Sequence, residues 1–333
     1  MLLYKNPSSV RFILILVALI VLAGSNLLVG SADLRDLPPS AVRFILWELR
    51  TPEVLTALMA GIALSLSGLA MQTLLGNPLA DPSLVGITAG ASLGSGLVYL
   101  GSGMLAAGAG LGLAGGGLAA LGAFAGALLA ALLLLACSAV VRGRTTLLLV
   151  GVMMSFALSS VVGVLSFYAA ADGVKGYVMW GLGTLGGVQL PLAAAALAAV
   201  AVLALLMGRR AHLLNALLLG PSYARGIGLN VRALRTRIII IVSLMCAVAT
   251  ALCGPIAFVG LAVPHAARLF FRTADHRLLV PACILLGSAT MLLCRLLCVL
   301  PALLWEAGVL PVNVLTPLIG APVVIAVLLR ERS

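Results

Sequence analysis

Charged residues in this chain are confined to short patches, and between the patches run apolar stretches of about twenty residues or more. Such stretches read as membrane-spanning helices, because one Asp, Lys or Arg at a helix centre costs about 2.5–3.5 kcal/mol on insertion and a crossing takes about 20 residues. The first run is about 12–30 and the second 54–76. No charge occurs from Ser83 to Val141, a length that holds two spans joined by a Gly-rich turn around Gly101 to Gly117. Further runs cover about 146–170, 188–207, 279–300 and 310–329.

The 30 uncharged residues between Arg237 and Arg268 decide the topology. Basic residues before the run (Arg209, Arg210, Arg225, Arg232, Arg235, Arg237) and after it (Arg268, Arg272, Arg277) all favour the cytoplasm, so the chain crosses an even number of times between them. Two full helices would need about 40 residues. Gly254-Pro255 breaks the run and Pro264-His265 disturbs its second part. The expectation is one full helix, about 236–253, and a short return helix buried in protein, since irregular backbone cannot face lipid.

That reading gives an all-α, polytopic chain of ten transmembrane helices, one of them short or broken, with both termini inside. Fifteen of the 20 Lys and Arg then lie inside with three acidic residues, and five lie outside with six. Lys5, Arg11 and the apolar run to Leu22 with Ala23-Gly24-Ser25 have the form of a signal peptide. The run continues through Leu27, Leu28 and Val29, which makes it an uncleaved first span.

Composition removes the remaining alternatives. Of 333 residues, 63% are hydrophobic and 9% charged, against about 25% charged in a soluble domain. The spans leave no room for a folded soluble domain, so residues 1–333 form a single transmembrane domain and any energy source sits on another chain. The net charge of +11 is topological and indicates no nucleic acid. Cys137, Cys246, Cys253, Cys283, Cys294 and Cys298 lie in or beside apolar runs without CxxC spacing, so they read as small buried hydrophobes rather than disulfides or a zinc site.

Three interruptions invite function. The largest basic one, 208–237, carries Leu213, Leu214, Leu217 and Leu218 at helical spacing ahead of Gly220-Pro221. It reads either as a loop of topogenic arginines or as a pair of short helices docking a cytoplasmic partner with an apolar face and a basic rim. Asp172 to Gln189 mixes glycines with Tyr177, Met179 and Trp180, as in an interfacial helix near a pathway mouth or an aromatic anchor. Asn77 to Pro82 forms a rigid turn before the small residues of Gly86 to Ala91, which permit close helix packing.

Catalysis finds no support: there is no phosphate loop, no HExxH and no carboxylate pair within one span. His212, His265 and His276 fall at or near the inner face, where His265, beside Pro264, satisfies local backbone. Ion-coupled carriers usually need intramembrane Asp, Glu or His. The near absence of such groups here, Arg295 apart, points to transport powered from elsewhere.

The residues resemble the permease subunits of type II ATP-binding-cassette importers for iron-siderophores, haem and cobalamin. The resemblance rests on R-T-P-E at Arg50 to Glu53, G-I-A-L-S-L-S-G-L-A-M-Q at Gly61 to Gln72, N-P-L-A-D-P at Asn77 to Pro82 and G-P-I-A-F-V-G-L-A-V-P-H-A-A-R at Gly254 to Arg268. D-H-R-L-L-V-P at Asp275 to Pro281 and L-P-V-N-V-L-T-P-L-I-G-A-P at Leu310 to Pro322 complete it. It implies a homodimer around a central pathway, two cytoplasmic ATPase subunits that bind ATP and Mg, and a periplasmic or lipid-anchored binding protein, in a bacterial inner membrane. The chain itself would bind no metal or cofactor.

By the same resemblance the ATPases grip Leu218, Gly220, Ala224, Arg225 and Gly228. Helices five and ten, about 146–170 and 310–329, line the pathway, and Thr145 and Thr146 form an inner gate beside Arg144. Arg50, Glu53 and Arg295 would face the binding protein. The implied cargo is an iron-siderophore or haem, with cobalamin as the alternative; an autonomous secondary transporter is the reading that the resemblance disfavours. The chain departs from the family's R-x-P-R at Glu53 and from its Asp and Arg on the ninth helix at Cys294 and Cys298. That departure predicts a binding-protein lobe that is not uniformly acidic.

Overall fold

The computed structural model describes residues 7–30, 34, 37–109, 116–141, 143–305 and 308–330. Fourteen α-helices occupy the described residues: α1 Pro7–Leu28, α2 Pro39–Phe44, α3 Thr51–Leu75, α4 Ile87–Ala109, α5 Gly116–Val140, α6 Arg144–Tyr168, α7 Ala171–Gly181, α8 Leu190–Gly208, α9 Ala211–Leu218, α10 Pro221–Gly226, α11 Val231–Cys253, α12 Val259–Phe271, α13 His276–Trp305 and α14 Val312–Arg330. Among them seven helical stretches are long and apolar enough to cross a membrane, and three shorter apolar stretches lie in α4, α12 and α14. These ten correspond one for one with the apolar runs of the sequence.

Several boundaries differ from the sequence reading. The Gly-rich stretch at Gly101 is not a turn, because α4 continues to Ala109; the remainder of that expected turn, 110–115, lies outside the described residues. Helical structure begins at Pro39, well before the expected 54, with π-helical turns at Ile45–Arg50 linking α2 to α3. Pro264 sits inside α12 without interrupting it. The Gly254-Pro255 break holds: Gly254 ends α11 at φ +74° and Phe258 starts α12 at φ +68°. A glycine suits the first position, since an added Cβ would approach the Trp180 carbonyl oxygen to 2.4 Å.

The chain divides into two compact units. The first comprises Met1–Leu69, Thr184–Asn215 and Ala257–Ser333. Here α3 is buried on nearly all sides, and glycines set its distances: a Cβ on Gly68 would lie 1.7 Å from the Gly260 carbonyl oxygen of α12, and one on Gly61 would lie 2.4 Å from that of Gly287 in α13. Membrane helices lack a hydrophobic drive toward each other, so small residues that let backbones touch supply the attraction through dispersion. Asn26 ties α1 to α13, its Nδ2 donating to the Leu292 carbonyl at 3.1 Å, and the Phe12 ring packs tilted against Phe271 with centroids 4.5 Å apart.

The second unit comprises Ala70–Gly183 and Ala216–Ile256. Its centre is the crossing of α4 and α5 through Gly90, Gly94, Gly122 and Gly126, where a Cβ on Gly94 would meet the Gly122 carbonyl oxygen at 1.9 Å. The Asn77 to Pro82 turn is rigid as expected: Leu79 N donates to Asn77 Oδ1 at 2.9 Å and Ser83 N to Asp81 Oδ1 at 3.0 Å. Burial raises the Asp81 carboxyl above its ordinary range. All six cysteines are free, and five are buried.

Candidate functional site

The 208–237 interruption folds as two short helices, α9 and α10, joined at Gly220, which takes φ +105° and allows Pro221 to open α10. Asn230 caps α11, its side chain accepting from Ala233 N at 3.0 Å. The expected contact residues divide by burial: Leu218 is exposed, Arg225 is exposed with Nε donating to the Pro221 carbonyl at 3.1 Å, and Gly228 turns the chain at φ +83°. Ala224 is fully buried and packs inward. The sequence reading missed Leu219, Tyr223 and Ile227, each more than half exposed. Leu219 and Ile227 flank α10 and only Tyr223 lies within it, so helical spacing gave no signal for them.

Asn215, on α9, holds the start of α13. Its Nδ2 donates to Asp275 Oδ1 at 2.6 Å, and its Oδ1 accepts from His276 N and from His276 Nδ1, both at 2.8 Å. Asp275 also accepts from Arg277 N at 2.9 Å, so it serves as the N-cap of α13. The Asn215 bond first, and the Arg277 backbone second, hold the Asp275 carboxyl below its ordinary range. A carboxylate whose folded pKa is depressed contributes stability that is complete above its unfolded pKa, about 3.9, and is lost as pH falls through the folded value. The melting temperature of Asp275→Asn should therefore lie below wild type by a constant amount near neutral pH, and the gap should close below about pH 4. A gap that widens on acidification would refute the assignment.

The expected gate residues Thr145 and Thr146 stand exposed in the first turn of α6, after Gly143 at the N-cap. Beyond them α6 buries only Leu147, Gly151 and Val162, and leaves Met153, Phe156, Val164 and Phe167 uncovered. On α14, Thr316 and Val312 are buried while Val314, Leu318 and Ile325 are exposed. The Asp172 to Gln189 segment does contain a helix, α7, with Tyr177 stacked on Trp180 at 6.1 Å. Burial raises the Tyr177 hydroxyl above its ordinary range.

Arg50, Glu53 and Arg295 are gathered into one cluster, but two of them point inward. Arg295 forms an ion pair with Glu53, its Nε donating to Oε2 at 3.1 Å, while its Nη1 donates to the Asn26 and Val29 carbonyls at 2.8 and 2.9 Å. Arg50 Nη1 donates to the Leu27 and Leu28 carbonyls at 2.9 and 2.7 Å. Both arginines thus fill the open carbonyls at the C-terminal end of α1. Arg50 is 3% exposed and Arg295 6%, so Glu53 is the member with surface to offer a partner.

His265 is buried and satisfies local backbone as expected, its Nδ1 lying 2.8 Å from the Leu261 carbonyl. No group of three or more His, Cys, Asp or Glu side chains that could hold a metal occurs among the described residues.

Residues 6–330 match the FecCD transport family. The chain belongs to that family. Its FecCD relatives include the hemin transport system permease protein HmuU of Yersinia pestis, 33% identical over 330 residues, covering 97% of this chain and 95% of the relative. The vitamin B12 import system permease protein BtuC of Escherichia coli is 34% identical over 286 residues, 86% of this chain and 84% of the relative. Among solved structures, a metal-chelate-type ABC transporter in an inward-facing conformation superimposes with a TM-score of 0.84 over 96% of this chain and 98% of its own, at 23% identity. That likeness shows the fold, an all-helical membrane bundle.

Proposed function

We propose that this chain is the permease subunit of an ATP-driven importer that carries a bulky iron chelate, haem or an iron-siderophore, across a bacterial inner membrane, with both termini in the cytoplasm. The observation that carries the reading is the group of exposed apolar residues in and beside α9 and α10, Leu218, Leu219, Tyr223 and Ile227, on a chain whose spans carry few ionisable groups beyond the stretch Arg43 to Glu53 and its partner Arg295. Spans without proton or ion relays need an outside energy source, and an exposed apolar patch on an extramembrane helix pair is where a motor subunit can grip. ATP and Mg would reside on two such ATPase subunits. A second copy of the chain would cover the apolar faces of α6 and α14, and a binding protein would deliver the chelate on the opposite side.

Haem stands ahead of cobalamin because the HmuU relative aligns over 97% of the chain and BtuC over 86%. The test is uptake into proteoliposomes holding the permease with its ATPase and binding protein, offered haem, a ferric siderophore and cobalamin in turn. Uptake of haem or siderophore that requires ATP and the ATPase is the expected result. Uptake by the permease alone, driven by an ion gradient, would refute the importer reading, and uptake confined to cobalamin would refute the cargo.

A further inference from the structure

The turn between α5 and α6 is gripped by three arginines, and all three bonds lead to the two ends of one segment. Arg232 Nη2 donates to the Ala139 carbonyl at 3.2 Å and Arg235 Nη1 to the Val141 carbonyl at 3.0 Å, filling acceptors that α5 leaves open at its C-terminal end. Both arginines lie in the first two turns of α11, immediately after α10. From the other side of the turn Arg144, the first residue of α6, donates from Nη2 to the Leu217 carbonyl in the last turn of α9 at 3.1 Å. The stretch between Leu217 and Arg232 is the one that exposes Leu218, Leu219, Tyr223 and Ile227.

Resting on the importer reading, we infer that Arg144 and Arg235, with Arg232, are positioning residues that couple the α9–α10 segment to the α5–α6 turn, so that motion of the segment repositions Thr145 and Thr146. The Arg144 side chain passes close to Gly76, where an added Cβ would come within 2.7 Å of its Nη1. Hydrogen bonds weaken steeply outside a narrow range of distance and angle. A displacement of the segment on the order of 1 Å therefore either carries the turn with it or breaks the bonds.

Simple capping or charge-driven topology would need these arginines too, so the deciding readout is chelate moved per ATP hydrolysed by the full complex. Arg144→Ala and Arg235→Ala complexes that still assemble and hydrolyse ATP should move roughly tenfold less chelate per ATP, the loss of a coupling of ordinary size. Arg144→Gln, which can still donate to the Leu217 carbonyl, should recover part of it. Arg277→Ala, which removes the same charge from an exposed site in the first turn of α13 and keeps its backbone N–H on Asp275, should match wild type. An unchanged ratio in Arg144→Ala, or an equal fall in Arg277→Ala, overturns the inference. If the wild-type complex moves no chelate, the importer reading fails by itself, and the clasp is decided by amide exchange at Thr145–Leu147. Faster exchange in Arg144→Ala then supports it, and unchanged exchange overturns it.

Discussion

Gly68→Ala should cost this protein more stability than alanine at any other glycine among the described residues. The new Cβ would sit 1.7 Å from the Gly260 carbonyl oxygen and 2.4 Å from its carbon, so α3 and α12 must separate before the methyl fits. The obstacle is backbone, which cannot rotate aside as a side chain would. Overpacking a well-filled interior costs about 1–3 kcal/mol, and a contact this short against a fixed carbonyl belongs at the upper end. The short helix α12 suffers most, because it starts at a left-handed Phe258 and is steadied there by Ala257 N donating to Asn313 Oδ1 at 3.1 Å. Gly94→Ala, opposite Gly122, should rank next. Gly24→Ala in α1 is the internal control: nothing lies within 4 Å of its added Cβ, and alanine gains about 0.5–1 kcal/mol of helix preference over glycine. Thermal unfolding in mild detergent, followed by the loss of the monodisperse peak, orders the three variants. Equal midpoints for Gly68→Ala and Gly24→Ala would show that these glycines do not set the helix spacing.

The same glycines mark where reading the sequence succeeded and where it failed. Charge-free runs located every apolar segment, since the cost of burying a charge in lipid is large enough to leave a plain record in sequence. The Gly254-Pro255 break was legible for the same reason: the arginines on either side demanded a return, and 30 residues were too few for two full helices. Gly101 to Ala109 was misread because glycine breaks helices in water yet serves as a packing residue in membrane helices. Pro39 to Arg50 was missed because Arg43, Glu48 and Arg50 looked like loop charges. Arg50 sits in a buried helix with the end of α1, more than twenty residues away, supplying two of its acceptors. The helix pair at 208–237 was one of the two readings that leucine spacing allowed, whereas the exposed Tyr223 and Ile227 stand among glycines that hide them. Contacts such as Asn215 with His276 and Arg144 with Leu217 join residues distant in sequence and leave no local signature.

Glu53→Gln should be nearly as damaging as Gly68→Ala, for an electrostatic reason. Arg295 is buried in α13, 242 residues away, and the Glu53 carboxylate is its ion-pair partner. Removing one member of a buried pair costs about 3–5 kcal/mol, chiefly because the other charge is left uncompensated. The lower end applies here, since the Glu53 side chain is 29% exposed and Arg295 keeps the Asn26 and Val29 carbonyls. The double variant Glu53→Gln with Arg295→Leu removes both charges and should recover part of the loss, the remainder reflecting the Asn26 and Val29 carbonyls that lose their Arg295 donor. Non-additivity in the midpoints of the two single variants and the double variant measures the pair directly. Additive losses would mean that the two residues act independently. Glu53→Arg would set two guanidinium groups against each other, so its effect on a binding protein mixes docking with misfolding. The Glu53→Gln, Arg295→Leu double variant, once shown to be folded, separates them. If it keeps wild-type affinity for the binding protein, the cluster serves to close the end of α1; if affinity falls, the exposed edge of Glu53 is part of the docking face.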